Sequence, residues 1–381
     1  MRRIVVLGYI VRGPLGGMSW HHLQYVAGLH RMGHDVYFME DSDDYPSCYD
    51  PLRYVVDTDP SYGLVYAAKI FDRLELGDRW AYFDAHSNRW FGPAGERAVS
   101  ICRSADTLIN VSGINPLREW HDAIAQRLFV DTDPLFTQVR HLTKPEARAA
   151  AALHTDFCSF GENIGQPDCS VPDDGFPWRP TRQPVVLDCW PVAPEMAGAA
   201  YTTVMQWDSY PGCEYDGRNY GMKSASFSPY VGLPRAADER FEIALGGATA
   251  PRQELDEQGW IVRDPFEVSS DPWVYQDYLR SSKAEFTVAK HGYVASGSGW
   301  FSERSAVYLA SGRPVVTQDT GFSRWLPCGR GVFAFDTPQE ASEAIRAVGL
   351  DYKAHCRAAR EIVNEFFESK AILRSLLNPE K

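Results

Sequence analysis

Residues 4–40 read IVVLGYIVRGPLGGMSWHHLQYVAGLHRMGHDVYFME, and the fold turns on this stretch. IVVLGYI is a β-branched apolar run of the kind a strand buried on both faces requires. A glycine-rich turn, GPLGG, follows it. From about Ser19 to Met32, Leu23, Val26 and Ala27 fall at i, i+3, i+4 spacing, which predicts a helix. Gly33 stands where a helix ends on a left-handed residue, and HDVYFME opens a second strand. Strand, loop, helix and strand make a βαβ unit and hence a parallel sheet.

The same rhythm continues outward. TLINVSG near 107–113 and RLFVDTD near 127–133 are apolar runs that end in turn-forming residues. Between Pro167 and Pro194 stand seven prolines in sequence without periodicity, such as SVPDDGFPWRPTRQP. Proline removes backbone donors and blocks helix and central strand alike, so this stretch is expected to be the inter-domain linker. FEIALGG, a helix from about Gln253, GWIVRDP, AEFTVAKHGY and RPVVTQD then resume the alternation. Ala358, Ile362 and Phe366 repeat every four residues, which predicts one closing helix from about Asp351 to Leu377. A chain of 381 residues suits two domains. The boundaries expected are 1–180, 181–350 and a final helical segment, 351–381.

Bulk properties narrow the function. A net charge of −12 repels phosphate backbones and argues against a nucleic-acid partner, without excluding a local basic pocket for one nucleotide. No stretch reaches the roughly 18 apolar residues of a membrane span, and the N-terminal apolar run is too short for a signal peptide. The eight cysteines include no CxxC pair and no Cys/His cluster at zinc spacing. The expected compartment is the cytoplasm.

The strongest local motif is GSGWFSERSAVYLASGRPVVTQDTGF, Gly297 to Phe322. Small residues open a helix whose free N–H groups and positive dipole end suit a diphosphate. The helix stops at Gly312 and Pro314, and the polar TQDTG falls at a strand C-terminal end, where open α/β sheets bind ligands. An ordinary βα connection with a solvated tip is the plainer reading.

This segment resembles the donor region of GT-B glycosyltransferases, in which a helix ending in A-x-G-x-P-V-V leads into a small-residue turn. GGMSWHHLQYVAGLHRMGHDV likewise resembles the opening of that family. The resemblance, to glycosyltransferase family 1- and 4-like proteins, implies two Rossmann-like domains facing across a cleft, with the last helix packing back on the first domain. It also implies a nucleotide-sugar donor, an acceptor whose identity stays open, and no cofactor. Gly16 and Gly17 would let backbone approach the donor phosphate or the acceptor. Lys223 would pair with the diphosphate, and Ser298, Gly299, Ser302 and the helix start would hold phosphate oxygens. Arg304 falls at a basic position near the helix start, and Asp319, Thr320 and Gly321 would line the sugar pocket. Many retaining members carry two glutamates eight positions apart; here those positions hold Gly299 and Val307. Glu303 is displaced from that pattern and is a candidate for the ribose hydroxyls.

An inverting transfer needs a general base. His21 and His22 at the first helix are one pair of candidates, Asp131 and Asp133 after RLFV the other. Capping or packing, and a proline-stiffened turn, are the bland alternatives for the two pairs. His291 in AKHGY is either a donor contact or a core histidine. Gly161, Glu162 and Asn163 either line the acceptor cleft or form a surface turn. Trp207, Tyr220, Trp300 and Phe301 could stack on a base or sugar, although most of so many aromatics must be core. The DTD triplets at 57–59 and 131–133 read as turns before proline rather than a metal motif, so metal-free transfer is expected. Three rival readings stand beside this one. Glu40 ends the opening unit where an NAD-binding acid would sit, but GYIVRGPLGG lacks GxGxxG in register. A sugar-nucleotide epimerase would share the scaffold, and an inactive carbohydrate-binding protein would explain the missing glutamates.

Overall fold

The structure, a computed structural model, describes residues 1–196 and 198–378. Its first part supplies β1 (Arg3–Leu7), β2 (Asp35–Asp41), a hairpin of β3 (Cys48–Asp50) and β4 (Val55–Asp57), β5 (Trp80–Asp84), β6 (Arg89–Phe91), β7 (Thr107–Val111), β8 (Gln126–Asp131), β9 (Asp156–Ser159) and β10 (Arg179–Pro180). Eight of these form one sheet in the order β10-β9-β8-β7-β1-β2-β5-β6. β1 lies parallel to both β2 and β7, as a βαβ unit requires, and only the β5–β6 edge is antiparallel. Ile4 to Leu7 are essentially inaccessible, which is why the run is apolar throughout rather than alternating.

The second part supplies β11 (Tyr201–Gln206), a hairpin of β12 (Cys213–Tyr215) and β13 (Arg218–Tyr220), β14 (Phe241–Gly246), β15 (Trp260–Arg263), β16 (Ala284–Thr287), β17 (Val315–Gln318) and β18 (Val332–Phe335). Six form a wholly parallel sheet, β15-β14-β11-β16-β17-β18. Its order reverses between β11 and β16, the point at which a crevice opens beyond the strand ends. The two sheets are separate, and each is flanked by helices. Among the described residues no helix is long and apolar enough to cross a membrane.

Two local expectations change. The first helix spans Gly16–Arg31, one turn earlier than its apolar spacing shows, because Gly16 and Gly17 belong to its first turn. The closing segment is two helices, Tyr352–Phe366 and Ser369–Leu377, rather than one. The break has a visible cause. Val185 N donates to Phe367 O and Ser369 N donates to Val185 O, so the backbone at the break leaves the helix to pair with the proline-rich stretch. Glu368 then caps the last helix through Lys370 N and Ala371 N. That helix packs back on the first one, where Leu373 lies against Gly28. The proline-rich stretch is therefore held on both sides, by β9 through β10 and by the tail through Val185.

Candidate functional site

A cavity of about 810 Å3 lies over the C-terminal ends of β11, β14 and β15. Gln206, Gly246, Gly247 and Asp264 line it from the second part of the chain, and Leu15, Tyr49 and Tyr54 from the first. The β3–β4 hairpin contributes both of these tyrosines, and Tyr54 Oη donates to Asp264 Oδ2 at 2.9 Å. Ligands of open α/β sheets bind at such strand ends, and a volume of this size accommodates a nucleotide.

The helix Glu303–Ala310 is tied to one wall of this cavity through a side chain. Arg304 in its first turn donates from Nη1 to Val204 O at 2.8 Å, and Val204 lines the cavity. Ser302 caps the helix through Arg304 N at 3.2 Å. The other N–H groups of the first turn have no intrahelical partner, as at any helix start. Lys223 stands within electrostatic reach of Glu303 and Arg304, and its ammonium has no hydrogen-bonded partner among the described residues. Burial above all, and then the Arg304 guanidinium, bring its pKa down to about 7, against the opposing pull of Glu303. His291 holds this lysine's loop in place: its Nδ1 accepts from Gly221 N at 3.3 Å, and Gly292 N donates to Gly221 O.

Several expected donor contacts are otherwise engaged. The Gly297–Gly299 turn has no spare donors: Gly297 N, Ser298 N and Gly299 N donate to Val294 O, Tyr293 O and Thr320 O. Ser298 and Gly299 thus hold the loop rather than phosphate. A Cβ at Gly299 or Gly321 would strike Asn163, whose Nδ2 donates to Gly297 O at 3.0 Å and Gly321 O at 2.9 Å. Asn163 N also donates to Ser298 O. The GEN segment is therefore a clamp between the two halves, not a surface turn. Thr320 closes on the Trp300 carbonyl, and Asp319 Oδ1 caps its own turn through Gly321 N at 2.8 Å. Arg304 turns inward to Glu285 at 2.6 Å, a buried ion pair beneath the helix rather than a phosphate contact. Gly16 and Gly17 serve close approach, but to protein: side chains there would strike Asp271 O and Tyr275 on the helix Pro272–Ser281.

The four candidate bases separate cleanly. Asp131 is 1% exposed and accepts from Thr137, Gln138, Ser159 and Asp133 N, so no oxygen faces a cleft. Asp133 accepts from Lys290 Nζ at 2.8 Å and from the hydroxyls of Tyr210 and Tyr293, all on the second part of the chain. Burial works to raise its pKa, but Lys290 and the two hydroxyls outweigh it and hold the carboxyl below its usual value. A carboxylate so occupied binds the halves together and is a weak base. His22 is packed between Gly8 and Phe38 with Nδ1 on Met18 O at 2.9 Å, and burial keeps it neutral. His21 differs. It lines a small cavity of about 10 Å3 with Gly17, Tyr275 and the displaced Glu303, and its Nδ1 lies 2.6 Å from Gln183 Oε1. Burial lowers its pKa, against the opposing pull of Glu303 and Gln183. Gln183 has no local signal in sequence, since it lies in the aperiodic proline-rich stretch.

Glu40 settles into a structural role that its position at a strand end resembles only superficially. It accepts from Ile10 N, Val11 N and Arg12 N at 2.7 Å each and from Arg12 Nε at 3.2 Å, shaping the β1 loop. No lone pair is left for a ribose.

No family model matches the chain, and no curated protein matches it by sequence. Solved structures do. An alpha-glucosyltransferase in complex with UDP and a 13-mer DNA containing a central A:G mismatch superposes with a TM-score of 0.59 at 12% identity, over 99% of each chain. HepE of Anabaena, solved with UDP and glucose, gives 0.55 at 11% over 99% of this chain and 98% of its own. AviGT4, a glycosyltransferase involved in avilamycin A biosynthesis, gives 0.53 at 14%, over 99% and 96%. The fold of this chain is accordingly that of the GT-B glycosyltransferases, two Rossmann-like domains facing across a cleft.

Proposed function

We propose that the protein is a metal-independent glycosyltransferase that moves a sugar from a nucleotide-sugar donor to an acceptor in the inter-domain cleft. One observation carries the reading: the 810 Å3 cavity lies at the strand ends, its Val204 carbonyl accepts from Arg304 at the start of the helix Glu303–Ala310, and Lys223 stands within electrostatic reach of that helix start. The nucleoside of the donor occupies the cavity, with its diphosphate toward Lys223 and the first turn at Ser302–Glu303. UDP is the first nucleotide to try, because the similar structures were solved with it. The cation and the helix dipole stabilise charge as the diphosphate departs, the role a metal fills elsewhere.

His21 is the base in this reading: it is buried with Nδ1 on Gln183, but it lines a cavity beside Glu303 and its Nε2 has no hydrogen-bonded partner among the described residues. Its Nε2 takes the acceptor hydroxyl proton while the acceptor oxygen bonds to the anomeric carbon and the bond to the diphosphate breaks. Such a single displacement inverts the anomeric configuration. Space beside His21 fits only one water in this arrangement, so an acceptor reaches Nε2 only after the side chains around it move. Incubation with UDP-sugars, monitored for UDP release, tests the reading. His21→Ala should lose on the order of 100-fold in turnover while UDP affinity stays unchanged. Undiminished turnover in that variant removes His21 as the base.

A further inference from the structure

We infer that Gln183, carried by the proline-rich connection between the sheets, is a positioning residue that fixes which nitrogen of His21 is free to take a proton; this rests on the reading of His21 as the base. The hydrogen-bond roles have one consistent solution. Gln183 Nε2 lies 3.1 Å from both His21 O and Pro184 O. Carbonyl oxygens only accept, so the amide nitrogen faces them and the amide oxygen faces the ring. That oxygen is 2.6 Å from His21 Nδ1 and also only accepts, so Nδ1 carries the hydrogen. A neutral imidazole has a single N–H, and the lone pair therefore resides on Nε2.

The surroundings keep this arrangement from relaxing. Gln183 is 2% exposed, and turning its amide over would set its oxygen against two carbonyl oxygens. Two residues on, the connection is anchored by Val185 to the break between the last two helices. At Val186 it is anchored to the first helix, through a 2.8 Å bond from its N–H to Gln24 Oε1. The base and its orienter thus sit on elements tied to each other through the chain's crossover. When Nε2 takes the acceptor proton, the ring becomes an imidazolium whose Nδ1–H stays on the Gln183 oxygen. A neutral amide orients the ring without the large upward pull on its pKa that a carboxylate would exert.

The first arm of the test is nitrogen-15 NMR of the full chain labelled at histidine. It should show His21 protonated at Nδ1 and bare at Nε2; a wild-type His21 protonated at Nε2 overturns the inference outright. In the second arm, Gln183→Glu still accepts the Nδ1 hydrogen but brings a charge. The acidic limb of the pH profile for UDP release from UDP-glucose should move up by about one unit, with UDP affinity held. Gln183→Leu, checked for folding by its melting curve, should shift the ring toward the Nε2–H form and lower kcat on the order of 100-fold. A folded Gln183→Leu that keeps both the wild-type tautomer and its turnover also overturns the inference. Should the tautomer be as stated while His21→Ala turns over normally, the base reading fails and Gln183 loses its catalytic purpose, although the bonding assignment survives.

Discussion

Replacing Lys223 with Met keeps an unbranched side chain, one atom shorter, and removes its charge. In the free protein the ammonium titrates at about 7, since burial and Arg304 oppose its charge. At pH 8 such a group is about one-tenth protonated. A bound diphosphate, fully ionised at that pH, favours the charged form and draws a proton from solvent. UDP binding at pH 8 should therefore take up close to one proton. The same linkage weakens UDP binding as pH rises above 7, by up to about tenfold per unit. Titration calorimetry in two buffers of different ionisation enthalpy reads the proton count directly. Lys223→Met should abolish the uptake and lose about 1–3 kcal/mol of affinity, the range of a charge-assisted contact. Unchanged affinity together with the same proton count in the variant would refute the placement of the diphosphate.

Other consequences follow from the cluster geometry. His22→Ala should lower stability by about 1–3 kcal/mol in denaturant unfolding with little effect on UDP affinity, because the ring packs in the core against Gly8 and Phe38. Asp133→Asn should lower the melting temperature through loss of the Lys290 pair. Asp133 has a lowered pKa, so its contribution is present above the unfolded carboxylate value and is lost as pH falls through the folded one. The melting curves of wild type and variant should therefore converge in acid. EDTA should leave UDP release unchanged, and restoration of lost activity by a divalent ion would contradict metal-free transfer.

Much of this architecture is written in short-range pattern. The run Ile4–Leu7, the turn at Gly16–Gly17 and the stop at Gly33 specify strand, helix and strand within forty residues, because each signal acts on neighbours in the chain. The site is a different matter. Asn163 clamps Gly297 and Gly321 across 134 and 158 residues, and nothing adjacent to it announces those partners. Small residues at 297–299 look like a phosphate loop, yet their N–H groups are consumed by carbonyls that only the folded loop brings near. DTDP looked the same for both its aspartates. Asp131 became a saturated core acceptor and Asp133 an inter-domain ion pair, a distinction made by what packs around them. The tail has helical periodicity throughout, but its break at Phe367 comes from pairing with Val185, 182 positions earlier.

Thermal melting against a panel of UDP-, GDP- and dTDP-sugars, with NADH and duplex DNA as comparisons, tests the central claim most directly, since a ligand that binds only the folded state raises its melting temperature. The account predicts a saturable rise with at least one nucleotide-sugar, smaller in Lys223→Met, and none with NADH or DNA. A rise with NADH and none with any nucleotide-sugar would contradict it.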